Sequence, residues 1–150
     1  MNGLTFEERA AVLAEARSWC GTRWHHQGRI KGAGVDCGMF LLEVYERVGV
    51  IPHIVPPPYP ADWNLHRSEE KYLSFIERFC SPVEHPQPAD IVAFKWGRCI
   101  SHAAIVVKWP TIIHSYIANG VCMDDAMANA DLAKRFAGAY AYDRSKSQTV

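Results

Sequence analysis

Apolar residues at helical spacing predict a first helix near the start of the chain. Thr5 and Glu8 have the spacing of a capping box, in which each side chain binds the backbone amide of the other residue. Apolar positions then recur three or four residues apart, at Phe6, Ala10, Leu13 and Ala14. The pattern continues to about Trp19 and predicts an amphipathic helix that contributes to the core and carries no chemistry.

A second helix is predicted to begin at a cysteine. Residues 34–38 read Gly-Val-Asp-Cys-Gly, and Asp36 is a favourable N-cap residue because its carboxylate accepts amide protons of the first turn. Gly49 is a stop signal at the far end. One apolar face lies between them, formed by Phe40, Leu41, Val44 and Val48. We therefore predict a buried helix over residues 37–48, preceded by a glycine-rich loop over residues 21–34.

The middle of the chain is rich in proline, which fixes an extended backbone and removes amide donors. Residues 51–63 are therefore predicted to form an irregular surface segment packed by Tyr59 and Trp63. Ser68 is predicted to cap a third helix. Its apolar stripe comprises Tyr72, Phe75, Ile76 and Phe79. We interpret this stripe as core and not as a ligand site.

The second half of the chain contains β-branched and aromatic runs separated by turn residues. Strands are predicted over residues 91–96, 101–109, 111–116, 121–123 and 139–142, with a hairpin turn at residues 119–120. A short helix is predicted around residues 126–136, and a frayed polar tail over 145–150. Helices followed by a run of short strands indicate the α+β class, with an antiparallel sheet packed against the cysteine helix.

Length and charge limit the function classes. The chain has 150 residues, so we expect a single domain over residues 1–150. Lys plus Arg and Asp plus Glu both number 16, and this balance argues against a nucleic-acid partner or a polybasic membrane patch. No apolar run approaches a membrane span. The acidic N-terminal segment lacks the pattern of a signal peptide, so we expect synthesis in the cytoplasm.

Cys37 is the leading candidate nucleophile. The chain has five cysteines, and their odd number and scattered positions favour reduced thiols over a disulfide framework. In the first turn of a helix, the dipole and the unpaired amides are expected to lower the pKa of a thiol and raise its thiolate fraction. The alternative is that Cys37 is a small buried hydrophobe, as most free cysteines are.

Two histidines in the predicted sheet supply the base and the orienting partner that a thiol nucleophile needs. His102 shares a strand face with small apolar residues, so we expect it to point toward the core and toward Cys37. If the strands pair as a hairpin, His114 lies beside His102 on one sheet face and fixes its tautomer. The backbone amide of Cys37 is expected to meet the oxyanion, with a second donor unassigned.

A zinc site competes with this interpretation. Cys99 and His102 have ligand spacing, and Cys37 and His114 would complete a tetrahedral set. A structural zinc site usually has two close ligand pairs, and the sequence contains only one such pair. We therefore expect no metal and no cofactor.

Four segments match, in order, the motifs of one family. Residues 21–38 contain Gly-Thr-Arg-Trp-His-His-Gln-Gly and then Gly-Val-Asp-Cys-Gly, similar to the nucleophile segment. Residues 88–92 (Pro-Ala-Asp-Ile-Val) are similar to a Pro-Gly-Asp-Leu-Val element, and residues 101–105 (Ser-His-Ala-Ala-Ile) to a His-Val-Gly-Ile element. Residues 112–115 (Ile-Ile-His-Ser) match the element that carries the third polar residue. Together they resemble the NlpC/P60 family of papain-like cysteine peptidases, in particular its phage-tail branch, in which the cysteine precedes the histidine.

The resemblance implies a papain-like α+β fold and an enzyme that hydrolyses peptide-stem bonds of bacterial peptidoglycan, commonly between D-γ-glutamate and a diamino acid. Transferred residue by residue, it implies Cys37 as nucleophile, His102 as base and His114 as orienting residue. These roles agree with those inferred above from the residues themselves.

We assign substrate-binding positions to Trp24, Asp36 and Gly38. Trp24 stands where the family usually has a substrate-contacting tyrosine, so the stacking face is kept and the hydroxyl is lost. Gly38 stands where a serine often follows the nucleophile. The neighbouring His25 and His26 are interpreted as solvated residues.

The phage-tail branch implies a route out of the cell that needs no signal peptide. The protein would be carried in a virion tail, with tail-tip proteins as partners, and would act on the host cell wall or periplasm. Two other functions stay open at this point. One is a structural tail-assembly protein whose peptidase fold is weakly active or inactive, and the other is a papain-like amidase or acyltransferase with another substrate.

Overall fold

A computed structural model describes residues 2–59 and 71–147 of the chain. Ser68 and Trp63, predicted as a helix cap and a packing residue, lie outside the described residues. The helices of the described part are α1 (Phe6–Ser18), α2 (Cys37–Arg47), α3 (Lys71–Phe79), α4 (Ala130–Ala133) and α5 (Arg144–Ser147). None of these helices is both long enough and apolar enough to span a bilayer.

The strands of the described part belong to a hairpin and a larger sheet. The hairpin pairs β1 (Arg29–Ile30) with β2 (Gly34–Val35), inside the segment predicted to be a loop. The sheet is antiparallel, with the order β3-β8-β4-β5-β6-β7. Its strands are β3 (Cys80–Val83), β4 (Ile91–Trp96), β5 (Cys99–Lys108), β6 (Thr111–Tyr116), β7 (Gly120–Asp125) and β8 (Phe136–Tyr142). The α+β class predicted from the sequence is confirmed.

Three local predictions need correction. The helix predicted around residues 126–136 is only the short α4, because β8 already begins at Phe136. Strand β3 was not predicted, since Pro82 lies within it; as an edge strand paired only with β8, it tolerates the missing amide donor. The polar tail is ordered as α5 as far as residue 147, and residues 148–150 lie outside the described part.

Helix α1 begins at the predicted capping box but buries a different face. Phe6 is 83% exposed, and the buried residues of the helix are Val12 and Ala16. Arg9 explains the orientation, because its guanidinium donates to the Asp90 carboxylate at 2.9 Å and ties α1 to the start of β4. Local periodicity could not reveal this long-range contact, so the predicted apolar stripe of α1 is wrong except at Leu13, which packs partly buried against the core.

Both faces of the sheet are buried, against different partners. Alternate residues of β4, β5 and β6, including Ala103 and Ile105, pack against α2 in the larger core cluster. The other face, including Ala104 and Val106, packs against Leu132 of α4 in a smaller cluster. Burying one large aliphatic side chain contributes roughly 1.5–3 kcal/mol. The strands therefore hold their faces firmly, and this fixes the positions of the polar side chains on them.

The proline-rich segment has no regular structure from Pro52 to Tyr59, as predicted. We call residues 51–59 the strap. Arg29 of β1 donates to the Ile54 carbonyl of the strap and forms ion pairs with Glu43 and Glu46 of α2. The strap is thereby held against the N-terminal loop and the cysteine helix.

Candidate active site

Cys37 occupies the first position of α2, next to a bulge in the sheet. Asp36 is the N-cap, and its carboxylate accepts from the Met39 amide at 2.9 Å. The Cys37 thiol donates to the Ser101 carbonyl, with 3.5 Å between sulfur and oxygen. Ser101 is the extra residue where the pairing of β4 with β5 shifts register, because Lys95 pairs with residue 100 and Phe94 with residue 102. The bulge turns a strand carbonyl toward the thiol.

The resting form of Cys37 is a neutral thiol. Burial, together with a smaller effect of the nearby Asp36 carboxylate, raises the pKa of the Cys37 thiol to about 12. The Tyr72 hydroxyl and the amides of Ala103 and Gly38 act in the opposite direction. The prediction that the helix start lowers this pKa is wrong, because desolvation outweighs the favourable dipole and amides.

His102, His114 and Asp124 form a hydrogen-bonded chain across three neighbouring strands. His102 Nε2 lies 2.9 Å from His114 Nδ1, and His114 Nε2 lies 3.2 Å from Asp124 Oδ2. The predicted meeting of the two histidines on one face of a β5–β6 hairpin is confirmed. Asp124 is itself held by the Asn129 amide, which donates to Oδ2 at 2.9 Å.

The hydrogen bonds among His102, His114 and Asp124 determine which ring nitrogens of the two histidines carry protons. The ionised carboxylate of Asp124 can only accept, so His114 Nε2 carries a proton and His114 Nδ1 is an acceptor. His102 Nε2 must then donate to His114 Nδ1, and the lone pair of a neutral His102 is on Nδ1. The hydrogen-bond network therefore leaves His102 with its basic nitrogen on the side that His114 does not occupy.

Both imidazoles favour their neutral forms. Burial lowers the pKa of His102 well below 6.5, and His114 lowers it further. Burial also lowers the pKa of His114, although the Asp124 carboxylate opposes this shift. A neutral His102 is an available proton acceptor at neutral pH, as a general base must be.

His102 lies on the sheet face opposite the one that α2 covers. Its ring contacts Phe94 and Trp96, with ring centroids 5.7 Å apart in both pairs, and these residues belong to the smaller core cluster. The expectation that His102 points toward the core is met at the smaller core cluster, while its direction toward Cys37 stays a prediction. The described side chains of Cys37 and His102 share no hydrogen bond, but both border one cavity of about 190 Å³ at the bulged end of β5.

A second, larger cavity of about 280 Å³ also reaches Cys37. It runs between α2, α3 and the strap, and Trp24 borders both cavities. Its walls are mainly apolar, with Leu41, Leu42, Ile51, Phe75 and Ile76 among them. Cys37 therefore lies where two spaces meet, so groups on either side of a scissile bond could be accommodated.

The predicted substrate-binding residues all lie at these cavities. Trp24 stacks on His26 with an interplanar angle of 27°, and Gly38 borders the larger cavity. The Asp36 carboxylate is buried and also accepts from the Gln27 amide and from the Tyr59 hydroxyl of the strap. The substrate-binding roles of Trp24, Asp36 and Gly38 stay predictions.

Sequence reasoning missed several residues of this region. Asp124 follows the predicted hairpin turn, and strand alternation puts it on the same sheet face as His114. Aligning the two predicted strands as an antiparallel pair would therefore have identified it. His26 was interpreted as solvated, but its Nε2 lies 2.7 Å from the Tyr59 carbonyl. Tyr72 is predicted to be a core residue, but its hydroxyl distinguishes it from the other, apolar members of the α3 stripe and could have indicated a polar role. His25 is exposed, as predicted.

The cysteines and histidines do not assemble into a metal centre in the part of the chain that the structure describes. Residues 2–59 and 71–147 contain no group of three or more histidine, cysteine or acidic side chains placed to hold a metal ion. Cys99 is buried, and all five cysteines are free thiols. His102 Nε2 is hydrogen-bonded to His114.

The fold is similar to that of solved NlpC/P60 proteins. An NlpC/P60 family protein from Bacillus cereus ATCC 10987 superposes with a TM-score of 0.61 at 19% identity, over 87% of this chain and 39% of that one. The NlpC/p60 domain of the peptidoglycan hydrolase SagA gives 0.59 at 19% identity, over 90% of this chain and 97% of that domain. The peptidoglycan hydrolase RipB from Mycobacterium tuberculosis gives 0.56 at 16% identity, over 90% and 64%.

These likenesses are structural, since the sequence matches no family model and no curated protein. The chain spans less than half the length of the Bacillus cereus protein, but nearly all of the SagA domain. At such low identities the comparison establishes the fold alone. The chain has the papain-like α+β fold of NlpC/P60 proteins, with Cys37 at the start of a helix that packs on an antiparallel sheet.

Proposed function

We propose that the protein is a cysteine peptidase that hydrolyses peptide-stem bonds of bacterial peptidoglycan. The observation that carries this proposal is the hydrogen-bonded chain from Asp124 through His114 to His102, which ends at the cavity that holds Cys37. The fold supports the substrate class, because solved peptidoglycan hydrolases share it. Sequence order, with the cysteine before the histidine, fits the same family.

In the proposed reaction the thiol first leaves the Ser101 carbonyl and turns toward His102 Nδ1. His102 takes the thiol proton as the Cys37 sulfur attacks the carbonyl carbon, so a C–S bond forms and the carbonyl becomes an oxyanion. His102 then gives this proton to the leaving amine as the C–N bond breaks. A water molecule, deprotonated by His102, hydrolyses the thioester and releases the thiol.

His114 and Asp124 orient the base and stabilise its charged form. The new imidazolium of His102 keeps its Nε2 proton hydrogen-bonded to His114, and His114 in turn donates to the Asp124 carboxylate. A negative charge at the end of this chain favours the positive charge on His102 that forms during attack. The raised thiol pKa makes proton transfer part of the attack itself, since no resting thiolate is available.

We propose that the bond cleaved joins D-γ-glutamate to the diamino acid, which the family resemblance supports. The apolar Trp24 face would stack on the stem where the family has a tyrosine. The product is a fragment with a new amine on the diamino acid. Mass spectrometry of the soluble fragments identifies which residue carries that amine.

The test is digestion of purified peptidoglycan by the wild type, Cys37→Ala and Cys20→Ala. Cys20 is an exposed free thiol outside the candidate site, so its variant controls for the loss of a cysteine. We expect new amine termini from the wild type and from Cys20→Ala, and none from Cys37→Ala. If the wild type releases none at any pH from acid to alkaline, the peptidase proposal is wrong and a structural role is favoured.

We further propose that the protein is carried in a phage or phage-like tail and acts on the host cell wall. The resemblance to the phage-tail branch supports this proposal, with tail-tip proteins as partners. Purified virions that contain the chain, detected by mass spectrometry, would support tail carriage. Its absence from virions, together with its presence in the soluble fraction of infected cells, would contradict it.

A further inference from the structure

The Tyr72 hydroxyl lies beside the proposed nucleophile, Cys37. Among the described residues, its hydroxyl is the buried side-chain polar atom that has no hydrogen-bond partner of normal geometry. Every other buried hydroxyl in this part of the chain has a partner; Tyr45, for example, donates to the Ala89 carbonyl at 2.5 Å. A buried donor left unpaired costs free energy, so such a group in a cavity suggests that a partner arrives with the substrate.

The position of Tyr72 relates it to Cys37. Helix α3 brings the Tyr72 ring against the first turn of α2, where a Cβ on Gly38 would lie 3.4 Å from Tyr72 Cε2. Its hydroxyl is close enough to the Cys37 sulfur to favour the thiolate electrostatically, although it makes no hydrogen bond of normal geometry to it. Tyr72, Gly38 and Cys37 all border the larger cavity.

The first turn of α2 supplies a second donor at the same place. The first amides of a helix have no partner within the helix, and the Asp36 carboxylate takes the Met39 amide. The Cys37 amide is another of these first amides, at the positive end of the helix dipole and next to the sulfur that would attack a carbonyl carbon. Two donors near the sulfur, one from α2 and one from α3, match the requirement of an oxyanion hole.

We propose that the Tyr72 hydroxyl and the Cys37 backbone amide together form the oxyanion hole for the carbonyl that Cys37 attacks. This inference rests on the proposed peptidase function and names a catalytic residue for it. When the C–S bond forms, the carbonyl π electrons move to oxygen, and Tyr72 donates a hydrogen bond to that oxygen without transferring its proton. The hydrogen bond from Tyr72 weakens again when the C–N bond breaks and the carbonyl re-forms.

Two features of the sequence fit this role. Trp24 has no hydroxyl at the position where the resembling family has a tyrosine, and Tyr72 brings a hydroxyl to the same cavity from helix α3. Gly38 leaves room for the Tyr72 ring, because even a Cβ would already touch it. A serine at position 38 would add an oxygen beyond that Cβ, in the space next to the ring.

The experiment compares Tyr72→Phe with the matched variant Tyr45→Phe in the full chain. The rate of Cys37 acylation is measured from the burst of p-nitrophenol that p-nitrophenyl acetate releases. Attack on this ester forms an oxyanion. We expect Tyr72→Phe to slow acylation and peptidoglycan cleavage by about 10²–10³-fold, as for loss of one oxyanion-hole donor. Tyr45→Phe should leave both rates unchanged, because its hydroxyl is bonded elsewhere.

Alkylation by iodoacetamide separates this role from general tuning of the thiol, because alkylation forms no oxyanion. The alkylation rate of Tyr72→Phe should stay within about threefold of wild type if thiol reactivity is preserved. A fall in alkylation equal to the fall in acylation would overturn the proposal, since Tyr72 would then act on the thiol. Acylation of Tyr72→Phe at the wild-type rate would also overturn it.

Stability provides an independent readout. Removing an unpaired hydroxyl should leave the melting temperature of Tyr72→Phe unchanged or higher, whereas Tyr45→Phe loses a made hydrogen bond and should melt lower. Equal lowering of the melting temperature in both variants would mean that the Tyr72 hydroxyl is already hydrogen-bonded, which overturns the proposal.

Failure of the proposed function can be told apart from failure of the oxyanion-hole proposal. If the wild type is acylated but releases no peptidoglycan fragments, the proposed substrate is wrong, while the ratio of the acylation rates of Tyr72→Phe and wild type still tests Tyr72. A wild type that is not acylated would contradict both.

Discussion

The two halves of the candidate site are held in different ways. The histidine half lies on three adjacent strands, and each of its polar groups is fixed by a hydrogen bond to the next. The cysteine half is assembled from a helix start, a strand bulge, the strap and α3, and its thiol is bonded to a backbone carbonyl. The sheet thus fixes the position of the proposed base, while in the proposed reaction the nucleophile must move before it attacks.

Burial also has opposite consequences for the protonation states that the two halves need. Burial keeps the imidazole of His102 neutral, which is the form a base needs. Burial also keeps Cys37 neutral, which is the unreactive form of a nucleophile. Burial therefore favours the reactive protonation state of His102 and the unreactive protonation state of Cys37. The following predictions test this difference.

The largest expected effect is that of removing the base. His102→Gln should lower kcat/KM for peptidoglycan by about 10²–10⁴-fold, because proton transfer from the thiol is lost. His85→Gln is the matched control, since His85 is exposed on a loop. Release of soluble fragments measures the rates, and equal rates in the two variants would remove His102 from the proposed mechanism.

Asp124→Asn should have the next largest effect. An amide can donate where the carboxylate only accepts, so the proton positions on His114 and His102 are no longer fixed. We expect activity to fall by about 10–100-fold, as when the partner that orients a functional histidine is lost. Asp125→Asn removes the same charge one residue away, without contact to His114, and should retain activity. A loss of similar size in Asp125→Asn would show that the charge alone matters.

The pH profile of kcat/KM should be broad. The reactive pair is a neutral thiol with a neutral imidazole, so the acid limb follows protonation of His102. Because its pKa is lowered, this limb should lie below pH 6.5. The pKa of Cys37 is raised to about 12, so no fall is expected as pH rises through its ordinary value of 9.0. An acid limb above pH 6.5 would contradict the lowered pKa of His102. A rate that falls again on the alkaline side, as an imidazolium loses its proton, would mean that a thiolate–imidazolium pair is the reactive form.

The smallest effect is expected from releasing the strap. Tyr59→Phe removes the hydroxyl that donates to the Asp36 carboxylate, beside the start of α2. We expect the free energy of unfolding to fall by about 1 kcal/mol, as for one partly exposed hydrogen bond. Urea denaturation measures the change. A loss of activity as large as that of Asp124→Asn would show that the cysteine half is preorganised as strictly as the histidine half.

Local sequence signals were sufficient for much of the framework. Asp36 predicted the helix start at Cys37, and the β-branched runs predicted β4 and β6 with the bounds that they have in the structure. The spacing of His102 and His114 on a hairpin predicted their contact. Each of these features depends on neighbours in the chain or on one strand pairing, which periodicity and turn chemistry encode.

The sequence by itself determined the central framework of the candidate site, with a cysteine at a helix start and two histidines on paired strands. Only the tertiary structure decided that a bulge at Ser101 presents a carbonyl to the thiol, that Asp124 completes the histidine chain, and that Tyr72 lies unpaired beside Cys37. It also decided the protonation states, because burial is a property of the packed fold and raises or lowers a pKa by more than a helix dipole does.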